Sequence, residues 1–160
     1  MVLQDFTGHA ACLSVDGMNK HFILKSTIDC YHSVADGGFG TWAHTNTAKL
    51  MELKEGWEIR NVYIRVIQLG TVAATIDSIG DEVGGAATLM AGDCKIGSTG
   101  TVGMVYRNLH TDTIGALNGY LCLADAYVYG TLQTALFDGI FEIALEVVNV
   151  FGGETIIAGT

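Results

Sequence analysis

The stretch FEIALEVV, from Phe141 to Val148, decides the fold class of this 160-residue chain. It alternates two sets of side chains, one mostly apolar and one mixed: Phe141, Ile143, Leu145 and Val147 against Glu142, Ala144, Glu146 and Val148. Successive side chains of a β-strand point to opposite faces of the sheet, so this period of two predicts a strand with one face on the core. The Asp138-Gly139 pair just before it predicts a turn.

The same period recurs along the chain. The segments Asn61–Val66 and Thr71–Ile76 alternate in the same way, and Thr101–Tyr106 would place Val102, Met104 and Tyr106 on one face. Asp16-Gly17 separates two apolar runs and predicts a hairpin. Short strands with regular glycine turns indicate an all-β, antiparallel β-sandwich.

Two segments are less regular. Thr45–Gly56 has apolar spacings that fit a helix and a strand equally, so its structure stays open, and Tyr120–Gly130 is expected to bend near Ala124–Asp125. The length predicts one domain, residues 1–160. The termini, residues 1–6 and 154–160, carry apolar residues outside the strand pattern and are candidate docking arms, the alternative being frayed ends.

Composition limits the partners. Charged residues are 16% of the chain and hydrophobic residues 49%, which favours burial of surface against other subunits and hence a homo-oligomer. The net charge of −9 argues against nucleic acid as a partner, since few cations are available to displace counterions. No apolar run is long enough for a membrane helix, and residues 1–11 lack the basic region before an apolar one that a signal peptide has, so we expect a soluble protein made in a cytoplasm.

The acids Asp77, Asp81 and Glu82 follow the predicted strand at Thr71–Ile76 and are the first candidates for a metal site. Calcium requires six or more oxygen ligands from a shaped loop, and the EF-hand spacing is absent. We therefore interpret them as acids of a strand-end turn, and expect no metal and no cofactor.

Other chemical patterns are weak. Glu142 and Glu146 share one strand face, which favours a solvent-facing row over a catalytic carboxylate pair. Cys30 and His32 are too few for a zinc site, and a Cys–His nucleophile pair stays open because such partners meet only in the fold. The glycines of Gly97–Gly103 lack a Walker lysine and predict a hairpin with close backbone approach. We expect no catalytic residues and no enzyme.

Aromatic residues carry the remaining alternatives. Phe39 and Trp42 lie among glycines, and each is either a contact anchor or a plug at the end of the sandwich. Tyr127 and Tyr129 share one strand face and belong to either the core or an interface. In a carbohydrate-binding module, Trp42 and Trp57 would supply the stacking faces.

Two long stretches resemble a known group. TNTAKLMELKEGWEIRNVYIRV (Thr45–Val66) and TVAATIDSIGDE (Thr71–Glu82) are similar to small virion proteins of tailed bacteriophages, which are capsid decoration (cement) proteins or minor structural proteins. The matching positions are Leu50, Leu53, Gly56, Ala74–Asp77, Gly80-Asp81, Phe137–Gly139 and the strand Phe141–Val148. The resemblance covers about residues 45–150.

The resemblance implies a β-sandwich of the jelly-roll type, no catalysis, and a trimer on the outer surface of a capsid. The expected partners are the major capsid protein and other copies of the chain. A neck, tail or fibre component and a carbohydrate-binding module are the alternatives. Apolar residues of the arms and the clustered aromatics form the predicted interface, which comprises Met1, Val2, Leu3, Phe6, Phe39, Trp42, Tyr127, Tyr129, Ile156 and Ile157.

Overall fold

The computed structural model describes residues 2–7, 11–12, 21–81, 89–107 and 120–150, and the regular secondary structure in these ranges is almost entirely β-strand. A 3-10 turn spans Val34–Asp36. The strands in chain order are β1 (Val2–Asp5), β2 (Ala11–Cys12), β3 (His21–Asp29), β4 (Trp42–Ala43), β5 (Asn46–Leu53), β6 (Trp57–Gln68), β7 (Thr75–Gly80), β8 (Met90–Lys95), β9 (Val105–Arg107), β10 (Tyr120–Leu121), β11 (Ala126–Leu132), β12 (Leu136–Phe137) and β13 (Ile140–Asn149). The all-β prediction is confirmed. No helix among these residues is long and apolar enough to cross a membrane.

The strands form two large sheets. Sheet A has the order β1-β5-β11-β7-β8, and sheet B has the order β10-β6-β13-β3-β2, with β9 also paired to β6. The β1–β5 pair is parallel, and the other pairs in both sheets are antiparallel. β4 and β12 make a small third sheet. The antiparallel sandwich is therefore confirmed.

The strand order identifies the kind of sandwich. Eight strand positions, numbered in chain order, form most of the two sheets: β3, β5, β6, β7, β8, β9 with β10, β11 and β13. β9 and β10 count as one position because both pair with β6. In sheet B the first of these pairs with the eighth, the eighth with the third, and the third with the sixth. In sheet A the second pairs with the seventh, the seventh with the fourth, and the fourth with the fifth. This is the order of a jelly roll, which consists of two Greek keys.

The last strand, β13, lies in the middle of sheet B. Leu145 is opposite Leu24 of β3 on one side and Val62 of β6 on the other. Its inward side chains Phe141, Ile143, Leu145 and Val147 are all fully buried. The alternation at Phe141–Val148 thus reflects a strand with one apolar face on the core, as predicted. The structure adds that this strand has a neighbour on each edge.

The segment with ambiguous spacing is the strand β5. The register with β11 skips one residue, because Val128 is opposite Met51 and Tyr129 is opposite Lys49. Leu50 is the extra residue of this β-bulge, so both Leu50 and Met51 point into the core. Two consecutive buried side chains break the period of two, which explains why the sequence also fits a helix.

Three predicted strands or turns differ from the structure. β7 begins at Thr75 and not at Thr71, and Val72 is exposed. Val102 and Met104 lie outside β9 and are exposed, so they do not share an inward face with Tyr106. The glycines at 97–100 join sheet A to sheet B and do not close a hairpin. Their close backbone approach is confirmed, since the Gly97 N–H donates to the Ala74 carbonyl at 2.9 Å.

Other turn predictions agree with the structure. The bend at Ala124–Asp125 carries the chain from β10 in sheet B to β11 in sheet A. The turn at Asp138 is held by its carboxylate, which accepts the Thr71 N–H at 2.7 Å and the Thr71 hydroxyl at 2.6 Å. β2 pairs antiparallel with β3, as a hairpin requires. The turn residues Asp16 and Gly17 themselves lie outside the described residues.

Candidate interaction surface

The predicted interface residues fall into three groups. Phe6 and Trp42 are buried in this chain's own core, and so they present no surface to a partner. Leu3 is exposed on β1, while Phe39, Tyr127 and Tyr129 are partly buried. Met1, Ile156 and Ile157 lie outside the described residues, as does the side chain of Val2.

Phe6 and Trp42 are core residues because they close an aromatic cluster. The ring of Phe6 contacts Phe39 and Trp42 edge-on, and Trp42 in turn lies against Phe141 with ring centroids 6.1 Å apart. The indole N–H of Trp42 donates to the Asn46 carbonyl at 3.0 Å. Of the two alternatives for Trp42, the plug is the one observed. This corrects its assignment, and that of Phe6, to the interface.

The N-terminal segment is also part of the fold. Val2–Asp5 form β1, parallel to β5, and the Phe6 N–H donates to the Lys49 carbonyl at 2.7 Å. Residues 2–6 therefore do not extend from the fold as a docking arm would. The physical reason is that residues 2–5 complete backbone hydrogen bonds at the edge of β5, while the side chain of Phe6 is buried in the aromatic cluster. Residues 154–160 lie outside the described residues.

Tryptophan stacking faces for a carbohydrate are not available either. Trp57, like Trp42, is buried, and its ring packs edge-on against Phe22 with centroids 5.0 Å apart. A sugar stacks on an aromatic face that is open to solvent. The structure thus removes the feature on which the carbohydrate-binding alternative depends.

The outer face of sheet B carries a network of ion pairs and hydrogen bonds. Glu142 on β13 forms ion pairs with Lys25 on β3 and with Arg65 on β6. Glu146, four residues further along β13, pairs with His21 at 2.9 Å and accepts a hydrogen bond from Asn61. The interpretation of Glu142 and Glu146 as one row on the outer face is confirmed.

Further cations extend this network across β6. The guanidinium of Arg60 lies 2.9 Å from Glu58, and Arg107 of β9 donates to Asn61 at 3.2 Å. Arg107 also lies over the ring of Tyr63, 5.6 Å from its centroid. Four of the seven Lys and Arg residues that the structure describes are therefore on the outer face of sheet B.

The outer face of sheet A has a different composition. Tyr127 and Tyr129 lie next to each other on β11, and the Lys49 ammonium of β5 is 3.4 Å from the centre of the Tyr127 ring. Asp5 pairs with Lys49 at 3.5 Å. Burial alone would raise the pKa of Asp5, but hydrogen bonds from Thr7 and the charge of Lys49 outweigh it, so the pKa lies below its usual value.

An exposed apolar group lies at one end of the sandwich, where β6 ends. Ile67, Val102, Met104 and Val105 are all exposed. They are held together by backbone hydrogen bonds, since the Val66 N–H donates to the Met104 carbonyl at 3.0 Å and the Gly103 N–H donates to the Val66 carbonyl at 2.8 Å. The period of two had predicted that Val102 and Met104 share one strand face with Tyr106. The glycines at 100 and 103 were the signal for a turn there.

The predicted acidic turn is split by the structure. Asp77 is exposed within β7, whereas Asp81 follows the strand and accepts a hydrogen bond from the Tyr120 hydroxyl. Glu82 lies outside the described residues. Within the part of the chain that the structure describes, no three His, Cys, Asp or Glu side chains are grouped closely enough to hold a metal ion.

The thiols of Cys30, Cys94 and Cys122 lie in the core. Burial raises the pKa of Cys30 and of Cys94 to about 12, and that of Cys122 to about 11. A thiol with such a pKa is protonated at neutral pH and is a poor nucleophile. His32 is the histidine nearest to Cys30 in the sequence. Its Nδ1 lies 2.7 Å from the Asp29 carboxylate. The geometry thus gives no support to a Cys30–His32 nucleophile pair.

The topology and the core define the chain as a jelly-roll β-sandwich protein. No protein-family model and no curated protein matches its sequence. Among solved structures, it is similar to a chain of the "Capsid of Ralstonia phage GP4", with a TM-score of 0.59 and 13% sequence identity. The likeness covers 96% of this chain and 100% of that chain. At this identity the comparison shows a shared fold.

Proposed function

We propose that this chain is a structural virion protein of a tailed bacteriophage, which decorates the capsid and stabilises it through contacts with the major capsid protein. The observation that carries the proposal is the end-to-end fold likeness to a chain of a phage capsid structure. The likeness involves the whole jelly roll and not a fragment of it. The resemblance of residues 45–150 to decoration and minor virion proteins supports the same function.

A decoration protein acts through complementary surface and not through a reaction. The chain offers such surface in the exposed apolar side chains where β6 ends, including Val102 and Met104. The thiols of Cys30, Cys94 and Cys122 are buried and protonated at neutral pH, and Glu142 on sheet B is engaged in ion pairs. We therefore propose that the protein is not an enzyme and requires no cofactor.

Stabilisation of a capsid follows from mass action. A protein that binds the assembled shell and not its free subunits stabilises the shell by about 2.7 kcal/mol per site, when it is present at a hundred times its dissociation constant. An oligomer that contacts several capsid subunits gains further, because each contact after the first is intramolecular. We propose a homotrimer on the outer surface of the capsid, made in the host cytoplasm before it joins the particle.

The binding experiment compares three forms of the major capsid protein. Purified full chain is mixed with expanded shells, unexpanded shells and free capsid subunits, and bound copies are counted after sedimentation. We expect binding to expanded shells, weak binding to free subunits, and a higher disruption temperature of decorated shells. An unrelated acidic protein of similar size is the control. Equal binding to all three forms, or no change in disruption temperature, would contradict decoration.

Copy number separates decoration from a neck, tail or fibre position. A decoration protein occupies repeated positions over the whole shell, whereas a neck or tail component is present in few copies. Electron microscopy of particles would therefore show density for the jelly roll across the capsid surface. Density confined to the neck or tail would replace the proposed function by that alternative.

A further inference from the structure

We propose that copies of this chain associate head to tail, with the outer face of sheet B on one copy docked against the outer face of sheet A on the next. This inference specifies the surfaces of the oligomer in the proposed function, but its argument rests on charge and exposure within the chain and not on capsid binding. The partner is a second copy because the chain itself carries both complementary faces.

On sheet B, the ion pairs place their cations outward. The Glu142 side chain is only 12% exposed, beneath Lys25 at 30% and Arg65 at 50%. Glu58 lies beneath Arg60 in the same way, and Glu146 lies beneath His21. Each carboxylate is the more covered partner, so the outermost polar groups of this face are Lys, Arg and His side chains, beside the exposed apolar side chain of Ile23.

On sheet A, the ion pairs have the opposite arrangement. The Lys49 side chain is 15% exposed and lies on Tyr127, whereas its partner Asp5 is 54% exposed. At the turn that follows β5, Lys54 is likewise more covered than its partners Glu52 and Asp125. Asp77 and Asp93 add exposed carboxylates on β7 and β8. Lys95 of β8 is the one exposed lysine beside these carboxylates among the described residues of the face, so its outermost layer is predominantly acidic.

Opposite outer layers make the two faces attractive to each other. With a net charge of −9, two copies repel each other in most orientations, and contact of the cationic face with an acidic face is the orientation that reverses this. Tyr127 and Tyr129 add aromatic rings on which an arginine of the neighbouring copy can stack. Because the two faces differ, the contact is heterologous, and the rotation between neighbouring copies decides whether it closes a ring or continues as an open stack.

The first test is the salt dependence of self-association of the purified full chain. Sedimentation velocity and light scattering are performed at about 0.05 M and about 0.5 M salt, which changes the screening length severalfold. We expect oligomers at low salt and a rise in the dissociation constant on the order of tenfold or more at high salt. A chain that stays monomeric at low salt, or that associates equally at both, overturns the proposal.

The second test reverses charges on each face separately. A sheet B variant, Arg60→Glu with Arg65→Glu, and a sheet A variant, Glu52→Lys with Asp77→Lys, should each lose self-association. Mixed together, the two variants should associate, because the reversed face of one is again complementary to the reversed face of the other. Failure of the mixture to associate overturns head-to-tail docking. Thermal melts confirm that both variants are folded.

Lys95→Glu is the matched control for net charge. It makes the chain more acidic, as Arg65→Glu does, but at an exposed position on β8 of sheet A. Head-to-tail docking predicts unchanged or tighter self-association for Lys95→Glu. A simple effect of net charge predicts weaker self-association, and that result would overturn the assignment of the two faces. Capsid binding is not measured in these experiments, so the proposed function and this inference fail independently.

Discussion

The ring of Phe6 meets the ring of Phe39 edge-on, with centroids 4.9 Å apart and ring planes at 75°. This contact joins the N-terminal segment to the loop that follows β3. Phe6 is fully buried although it lies only one residue after the edge strand β1. The N-terminal segment is therefore a structural component of the sandwich, attached by backbone pairing to β5 and by the aromatic cluster.

Replacement of this aromatic anchor should destabilise the fold. We expect Phe6→Ala to lower the free energy of unfolding by about 3–5 kcal/mol, the usual cost of removing a buried aromatic side chain. Leu3→Ala, at an exposed position on the same segment, should cost much less. Urea unfolding of both variants is the measurement. Equal effects, or a stable protein after deletion of residues 1–6, would contradict this role.

The close approach at Gly97 gives a second prediction. A Cβ at this position would overlap the Val72 carbonyl and the Ala74 nitrogen, both backbone atoms that cannot rotate away. Gly97→Ala should therefore cost at least about 3 kcal/mol or prevent folding.

Gly103→Ala is the matched control for Gly97→Ala. Gly103 has a φ of 82° but open space around its Cα. The left-handed conformation alone costs about 1–2 kcal/mol, so Gly103→Ala should remain folded in the same thermal melt. Similar melting temperatures for the two variants would show that the overlap at Gly97 is relieved by a backbone shift.

The lowered pKa of Asp29 predicts that part of the protein's stability is lost in acid. Burial would raise its pKa, but hydrogen bonds and charge from His32, together with the Tyr31 N–H, lower it below the ordinary 3.8. A carboxyl with a lower pKa in the folded state contributes stability that is present above the unfolded pKa and lost as the pH falls through the folded pKa. We expect stability to decline below about pH 4, and Asp29→Asn to flatten that decline.

The pH series for Asp29→Asn requires a control for net charge. Asp77→Asn removes the same charge from an exposed position on β7. Urea midpoints are compared across the acidic range for the wild type and both variants. If the urea midpoint of Asp29→Asn falls with pH as steeply as that of the wild type at low pH, Asp29 does not contribute to the acid dependence of stability.

The buried thiols should be unreactive in the native protein. Because burial raises the pKa values of Cys30, Cys94 and Cys122 to about 12, 12 and 11, we expect little alkylation at neutral pH. In denaturant all three should react quickly. Peptide mapping by mass spectrometry locates the modified cysteines. Fast native alkylation at Cys30 would reopen the Cys–His alternative.

The candidate surface was only partly predictable. The polar rows on single strands, such as Glu142 and Glu146, were evident from the period of two. The partners of those acids were not, because Lys25 and Arg65 are far away in sequence and become neighbours only through the order β6-β13-β3. Which member of each pair is outermost depends on side-chain packing across strands, and strand periodicity carries no information on it.

The sequence by itself determined the all-β class, the inward row of β13 and the glycine turns, because strand periodicity and turn conformation are local properties. The tertiary structure decided the rest. It placed Phe6 and Trp42 in the core, made β5 a strand despite its mixed spacing, and turned Val102 and Met104 outward. Each of these outcomes depends on a long-range contact: the aromatic cluster, the bulge opposite β11, or the crossing between the sheets. The free energy of such contacts comes from residues that are distant in the chain, and so local patterns cannot encode it.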